Sequence, residues 1–411
     1  MSYALEAHER AELQRLADEK SAERARHARV ILLSAEGRSA TEIAQVVGLS
    51  TRQVYYWRRK WRERRLAIFA SSSSSAPQPA EPDPRGVQAP RLALTLAPTP
   101  GLLPDDPMSE AGRKVLLFHF ERMLAREPEA RRGEDIEALH AMRVATRRMR
   151  SALRVFGPFF RAKALRPFAA ELRRAARVLG AVRDMDVLLS DAARFAAERG
   201  NGEMASLLET WAARQARAHD ALLAYLDGAD FAEFVARFHA FLTTPEVGAK
   251  PYAQTERVRA YQVRHVAPRL IYARYERVRA YETVLEGAPL PTLHALRIEG
   301  KRLRYTLEFF AEVLGAERRE ILRALKALQD HLGALNDARV AQEELQAFLA
   351  AHNTRYSGVP RFLRPDVGGV WRYLEAQRAR QEQLRATLPK RWDEVFGEEA
   401  RRALALAVAA L

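Results

Sequence analysis

The stretches EALHAMRVATRRMRSALRVF (residues 137–156) and PTLHALRIEGKRLRYTLEFF (residues 291–310) are one pattern written twice. At a shift of 154 residues His140 falls on His294, Arg143 on Arg297, Arg147 on Lys301, Arg148 on Arg302 and Arg150 on Arg304. Apolar Met142/Leu296 and Met149/Leu303 repeat between them. A second pair, LGAVRDMDV from Leu179 and LGALNDARV from Leu332, repeats at a shift of 153. Nearly equal shifts require two copies of a unit of about 150 residues. Each copy reads as several helices separated by short Gly/Pro breaks, which predicts an all-α protein containing two pseudo-symmetric antiparallel helical bundles.

Within the first copy His140, Arg143, Arg147, Arg150 and Arg154 recur at intervals of 3 and 4. On a helix these side chains share one side over about 21 Å. Met142, Ala145, Met149, Ala152 and Phe156 follow the same intervals one position away, so an apolar seam holds the cationic stripe against a packed bundle. Residues 138–170 hold eight basic side chains and no acid. Like charges at this spacing repel, which predicts an external anion as the missing counter-charge. The second stripe is shorter, because Glu308 stands where the first copy has Arg154.

The whole chain has 411 residues and a formal charge of +15, from 67 Lys and Arg against 52 Asp and Glu, so polyanions are the expected partners. Hydrophobic residues make up 48% and aromatics only 8%, which favours helix formers over the mixture a sheet needs. With no cysteine there is no disulfide, thiolate nucleophile, Cys-ligated zinc or iron–sulfur cluster. The longest apolar run, residues 403–411, falls far short of the ~20 residues of a membrane span, and a soluble, cytoplasmic protein without membrane partners is expected.

Nine of the 20 prolines lie between Pro77 and Pro107, behind the serine tract 71–75. Such composition predicts a flexible Ser/Pro-rich linker over residues 67–107. It joins an N-terminal module (1–66) to the large repeat domain (108–411), whose copies are expected at about 108–245 and about 255–411. In the N-terminal module Ser39 precedes Glu42 by three residues and Ser50 precedes Gln53 likewise, with Gly48 and Leu49 between. Two capping boxes around a tight turn predict a helix-turn-helix. Ile43, Ala44, Val47, Val54, Trp57 and Trp61, with Val30 and Leu33, supply its core. Its second helix carries Arg52, Arg58, Arg59, Lys60, Arg62, Arg64 and Arg65 against Glu63 alone.

The run GRSATEIAQVVGLSTRQVYYWRRKWRERR (37–65) resembles helix-turn-helix modules of the transposase and homeodomain-like type. The resemblance implies that Thr51, Arg52, Gln53 and Tyr56 face base edges of DNA, with Arg58 and Arg59 nearer phosphates.

The paired H-x-x-R-x-x-x-[RK]-R-x-R helices, each followed by L-G-x-x-[RN]-D, resemble the CHAD family, the conserved histidine α-helical domain. That resemblance implies a basic central channel binding inorganic polyphosphate. It makes His140, Arg143, Arg147, Arg150, His294, Arg297, Lys301 and Arg304 the ligands, with Arg148, Arg154 and Arg302 on the same helices. Arg173 aligns with Lys326, which places both beside the channel, whereas Arg177 falls on Asp330. Lys114 is expected to contribute from the preceding helix, and Asp184 and Asp337 to orient neighbouring cations or cap helices rather than bind metal. No catalytic residue, metal ligand or cofactor is expected, since catalysis on phosphate needs carboxylates, a base or a nucleophile and the motif helices offer cations. The expected function is polyphosphate binding with an appended DNA-binding module, in the cytoplasm, on polyphosphate granules or at the nucleoid. The alternatives are a general nucleic-acid binder or transcription regulator, and a phosphohydrolase acting on polyphosphate.

Overall fold

Ser39 begins a helix as its sequence predicts. Its hydroxyl accepts from the Glu42 amide at 3.2 Å, and the Glu42 carboxylate accepts from the Ser39 amide at 2.8 Å. Helix α3 (Ala40–Val47) then ends at Gly48, whose left-handed φ of 70° lets its amide donate back to the Ala44 carbonyl. This is a computed structural model, and it describes residues 5–18, 22–49, 53, 54, 57, 58, 60, 61, 65–69, 92, 94–133, 135–199, 202–251 and 261–411. Among them there is no strand; two isolated β-bridges join Pro107 to Gln262 and Phe160 to Ala249.

The chain divides into two compact units, residues 1–86 with 184–220, and residues 87–183 with 221–411. In the first, α1 (Ala7–Ala17), α2 (Ala22–Ala35) and α3 precede described helical residues at 53, 54, 57, 58, 60 and 61. Val30, Ile43, Val47, Val54 and Trp61 are buried together, while Leu33, Ala44 and Trp57 pack at the edge. Ile31, Leu13, Leu16 and Phe69 complete this core, so α1 joins the three-helix set that the sequence outlines. Ser50, the predicted second cap, lies outside the described residues. In the 184–220 segment buried Gln215 donates to Asp186 at 3.0 Å.

The second unit carries both histidine helices and both copies of the repeat apart from residues 184–220. The first contains α4 (Met108–Ala125), α5 (Glu127–Arg132), α6 (Ile136–Phe156), the start of α7 (Ala162–Arg199), the end of α8 (Ala205–Leu226), and α9 (Ala229–Thr243). The second contains α10 (Val263–Arg279), α11 (Leu290–Phe309), α12 (Arg318–Arg355), α13 (Gly368–Phe396) and α14 (Glu398–Ala409). Pseudo-symmetry shows in element lengths: α6 and α11 have 21 and 20 residues, and α7 and α12 have 38 each. Helix α6 packs on α4 and α11, with the Phe156 ring 5.6 Å from Phe310 and 6.0 Å from Phe309. The α4–α6 crossing is tight, since a Cβ on Gly112 would stand 2.6 Å from the Phe156 Cβ.

Residues 94–107, which composition assigns to the linker, are docked on this unit. Glu312 accepts from the amides of Gly101 (3.0 Å) and Leu102 (2.9 Å), Arg122 donates to the Ala97 carbonyl, and Leu102 is buried. The proline-rich segment has few amides, and two acidic side chains of the bundle satisfy three of them, Glu312 those of Gly101 and Leu102 and Glu121 that of Thr95 at 3.4 Å. The remainder of the serine and proline tract, apart from residue 92, lies outside the described residues up to 93.

Candidate functional site

Helices α6 and α11 bury their apolar seams, Met142, Ala145, Met149 and Ala152 on one and Leu293, Leu296 and Leu303 on the other. Because side chains three and four apart share a face, burying the seam places the neighbouring cations along its margin. From α6 come Arg143 and Arg147, and from α11 Arg297, Lys301 and Arg304. Tyr305, 2% exposed, lies beneath two of them: the guanidinium of Arg147 stands 5.7 Å from its ring centre and that of Arg304 stands 5.1 Å away. One aromatic ring thus meets a cation from each copy. Helix α7 passes beside Arg143, since a Cβ on Gly180 would stand in ordinary contact with the Arg143 Nε at 4.0 Å.

The electrostatics register this convergence. Burial, followed by the charges of Arg297, Arg147 and Arg143, pushes Lys301 down to about 7, with Asp337 opposing. Arg147 is likewise lowered, by burial first and then by Arg143 and Arg304, against Tyr305. The two copies therefore crowd positive charge into a half-buried space, where an arriving anion is strongly favoured.

The histidines are not equivalent. His140 is half-buried, and burial, then Arg183, Arg147 and Arg143 hold it below its ordinary value, with Glu137 opposing. Its Nδ1 is buried without a hydrogen-bond partner among the described residues. His294 is exposed, and its Nδ1 lies 3.2 Å from the Asn336 Oδ1, an oxygen that also accepts from Arg339 at 3.5 Å. Arg183 and Asn336 occupy the same position of the L-G-x-x-[RN]-D segments. One substitution between copies thus gives one histidine an amide neighbour and the other a guanidinium.

Several sequence-predicted cations are engaged in ion pairs. Glu308 bridges the copies, one oxygen 2.9 Å from Arg148 and the other 3.0 Å from Arg304. Glu299 pairs with Arg302, and Arg274 stands 3.8 Å from it. Lys326 meets Asp330 at 2.8 Å. Lys114 binds Asp106 at 2.7 Å and the Gly101 carbonyl at 2.9 Å, so it fastens the docked segment. Arg150 is lowered by partial burial and then by Arg154, Arg173 and Arg177, which places those three within electrostatic reach of Arg150. Arg154 is also lowered by partial burial and by Arg302, with Glu299 opposing. Among the described residues no group of three or more His, Asp or Glu side chains is placed to hold a metal ion.

Tyr305, Arg183, Asn336 and Arg274 were not singled out as site residues from sequence. Arg183 and Asn336 were open to discovery, since they are the variable position of a repeated motif beside the histidine helix. Tyr305 has Ser151 at its counterpart, so repetition gives no sign of it.

In the N-terminal unit, Thr51, Arg52, Tyr56 and Arg59 lie outside the described residues, while Gln53 is half-buried. Arg58, expected near phosphate, is buried: its Nε donates to the Ser34 hydroxyl at 2.8 Å and its Nη2 to the Arg38 carbonyl at 2.6 Å. Arg65 pairs with buried Glu9, with its Nε at 2.7 Å from that carboxylate. These two arginines of the basic helix region hold the module together.

Comparison with known proteins agrees with this architecture. The winged helix-turn-helix model matches residues 27–83. The crystal structure of the CHAD domain from the plant Ricinus communis is 25% identical, with a TM-score of 0.51, covering 78% of this chain and 96% of that one. PptA from Streptomyces chartreusis shares the fold at 16% identity and a TM-score of 0.51, over 70% of this chain and 100% of its own. None of the curated proteins matches the sequence. The CHAD domain model matches residues 114–346, more than half of the chain and both histidine helices, and the protein belongs to the CHAD family.

Proposed function

We propose that the protein binds inorganic polyphosphate between α6 and α11 and holds it without cleaving it. The observation that carries this reading is the packing of Lys301 among Arg143, Arg147 and Arg297, deep enough to lower the lysine to about 7. A half-buried cluster of like charge is costly alone and becomes favourable when a multivalent anion enters. Arginine offers paired donors to phosphate oxygens and lysine a mobile charge, a mixture suited to a flexible phosphate chain. The convergent groups can neutralise phosphate, while Glu308 and Glu299 are occupied by arginines, which favours a binder over a hydrolase.

The helix-turn-helix favours a second activity, DNA binding by the N-terminal unit. With both activities the protein would connect polyphosphate granules to the nucleoid in the cytoplasm, or regulate transcription according to polyphosphate level. No helix among the described residues is long and apolar enough to cross a membrane.

Competition between polyphosphate and duplex DNA for the full chain at several salt concentrations tests both parts. Two independent sites predict that saturating polyphosphate leaves a DNA-bound fraction. Complete mutual displacement with equal salt slopes supports one general nucleic-acid-binding surface instead. Release of orthophosphate with added Mg²⁺ would replace the binding reading with a hydrolase.

A further inference from the structure

Beyond the shared centre, the repeat positions carry opposite electrostatics in the two copies. In the second copy, Arg304 is followed four residues later by Glu308, and the two pair at 3.0 Å; Lys326 is followed by Asp330, and they pair at 2.8 Å. The matching positions of the first copy are Arg150 and Arg154 on α6, and Arg173 and Arg177 on α7. Both carboxylates are replaced by arginine at the same helical spacing. Two attractive i,i+4 pairs thus become two repulsive ones. No ion pair of these four arginines occurs among the described residues, and each of the other three lowers Arg150. Arg154, Arg173 and Arg177 are exposed.

We infer that a bound polyanion leaves the shared centre in one direction only, over an arm formed by Arg150, Arg154, Arg173 and Arg177 on the first copy. This rests on the polyphosphate reading of the centre. Glu308 and Asp330 act as built-in counter-anions that close the corresponding route over the second copy. The ligand class is a linear polyanion long enough to span the centre and the arm. A short phosphate chain fills the centre and gains nothing from the arm. The repulsion retained within the first copy is consistent with a surface kept for an external counter-charge.

The test exchanges the pattern between copies in the full chain and measures binding of tripolyphosphate and long-chain polyphosphate at several salt concentrations. Arg154→Glu with Arg177→Asp gives the first copy the ion pairs of the second. It should lower long-chain affinity at least tenfold and reduce the salt slope by about three, taking ~0.7 per neutralised phosphate of a single-stranded polyanion. Tripolyphosphate affinity should change less than threefold. The ligand-free melting temperature should rise, which separates lost binding from lost folding. Asp330→Arg removes one of the two counter-anions from the second route and should strengthen long-chain binding without affecting tripolyphosphate. A control, Arg147→Gln with Lys301→Gln, reports on the centre and should weaken both ligands.

Equal losses for short and long chains in the first-copy variant, or no loss for either, would overturn the one-sided arm. If the control leaves both affinities intact while the first-copy variant loses long-chain binding, the centre reading fails and the arginine surface stands as the site.

Discussion

Lys301 makes the site's pH dependence calculable. Its ammonium is pushed down from the usual 10.5 to about 7 by burial and by Arg297, Arg147 and Arg143. In the ligand-free protein the unfolded lysine holds a proton that the native one has released throughout that interval. This residue's contribution therefore raises native stability as pH climbs from about 7 to about 10.5, and the gain is lost as pH falls through 7. An anion at the centre favours the charged amine and draws the proton back. At pH 8 a lysine titrating near 7 is about one-tenth protonated, so binding should take up about 0.9 proton. Between pH 7 and 9 the free site's protonated fraction falls roughly fiftyfold, and affinity should fall with it if the bound lysine titrates above 9. Neighbouring arginines do not titrate in this window, and His140, held below its ordinary value, titrates under it. Calorimetry with long-chain polyphosphate in buffers of different ionisation enthalpy reads the proton uptake directly. Lys301→Arg should abolish both uptake and pH slope while retaining binding. Heats independent of buffer at pH 8, or an unchanged slope in the arginine variant, would refute the assignment.

Three other outcomes test the architecture. Gly112→Ala drives a Cβ to within 2.6 Å of the Phe156 Cβ, so despite alanine's better helix propensity it should destabilise the second unit by about 1–3 kcal/mol in denaturant melts. Arg58→Ala removes donors to Ser34 and the Arg38 carbonyl and should cost about 1–3 kcal/mol, seen as faster hydrogen exchange in α2 and α3; unchanged exchange with weakened DNA binding would make Arg58 a phosphate contact instead. Arg183→Asn gives His140 the amide that stands beside His294, so the His140 imidazole, held low in part by Arg183, should titrate higher by NMR, whereas no movement would deny that the Arg183/Asn336 difference separates the histidines.

The sequence was most informative where periodicity and repetition coincide. The histidine helices, their buried methionine and leucine seams and the cationic stripe along each helix follow from intervals of 3 and 4 repeated at a fixed shift. The Ser39 capping box was legible because its bonds are local. The allocation of each cation was not. Glu308 joins Arg148 across 160 residues, and Arg58 reaches Ser34 and Arg38 through tertiary packing, so a basic run alone could not separate ligand-facing arginines from structural ones. Residues 94–107 show the same limit: their composition reads as linker, while their anchor, Glu312, lies more than 200 residues away.

If Arg143 and Arg147 from one copy and Arg297 and Lys301 from the other form one polyphosphate site, removing all four charges removes the site. Titration calorimetry of the full chain with all four changed to Gln, beside circular dichroism of the same sample, tests it most directly. Each lost charge-assisted hydrogen bond is worth about 1.5–3 kcal/mol, so the account predicts a folded protein whose polyphosphate affinity has dropped by several orders of magnitude. It also predicts that polyphosphate no longer raises the melting temperature of the second unit. A quadruple variant that is folded and binds polyphosphate as tightly as the unaltered protein would contradict it.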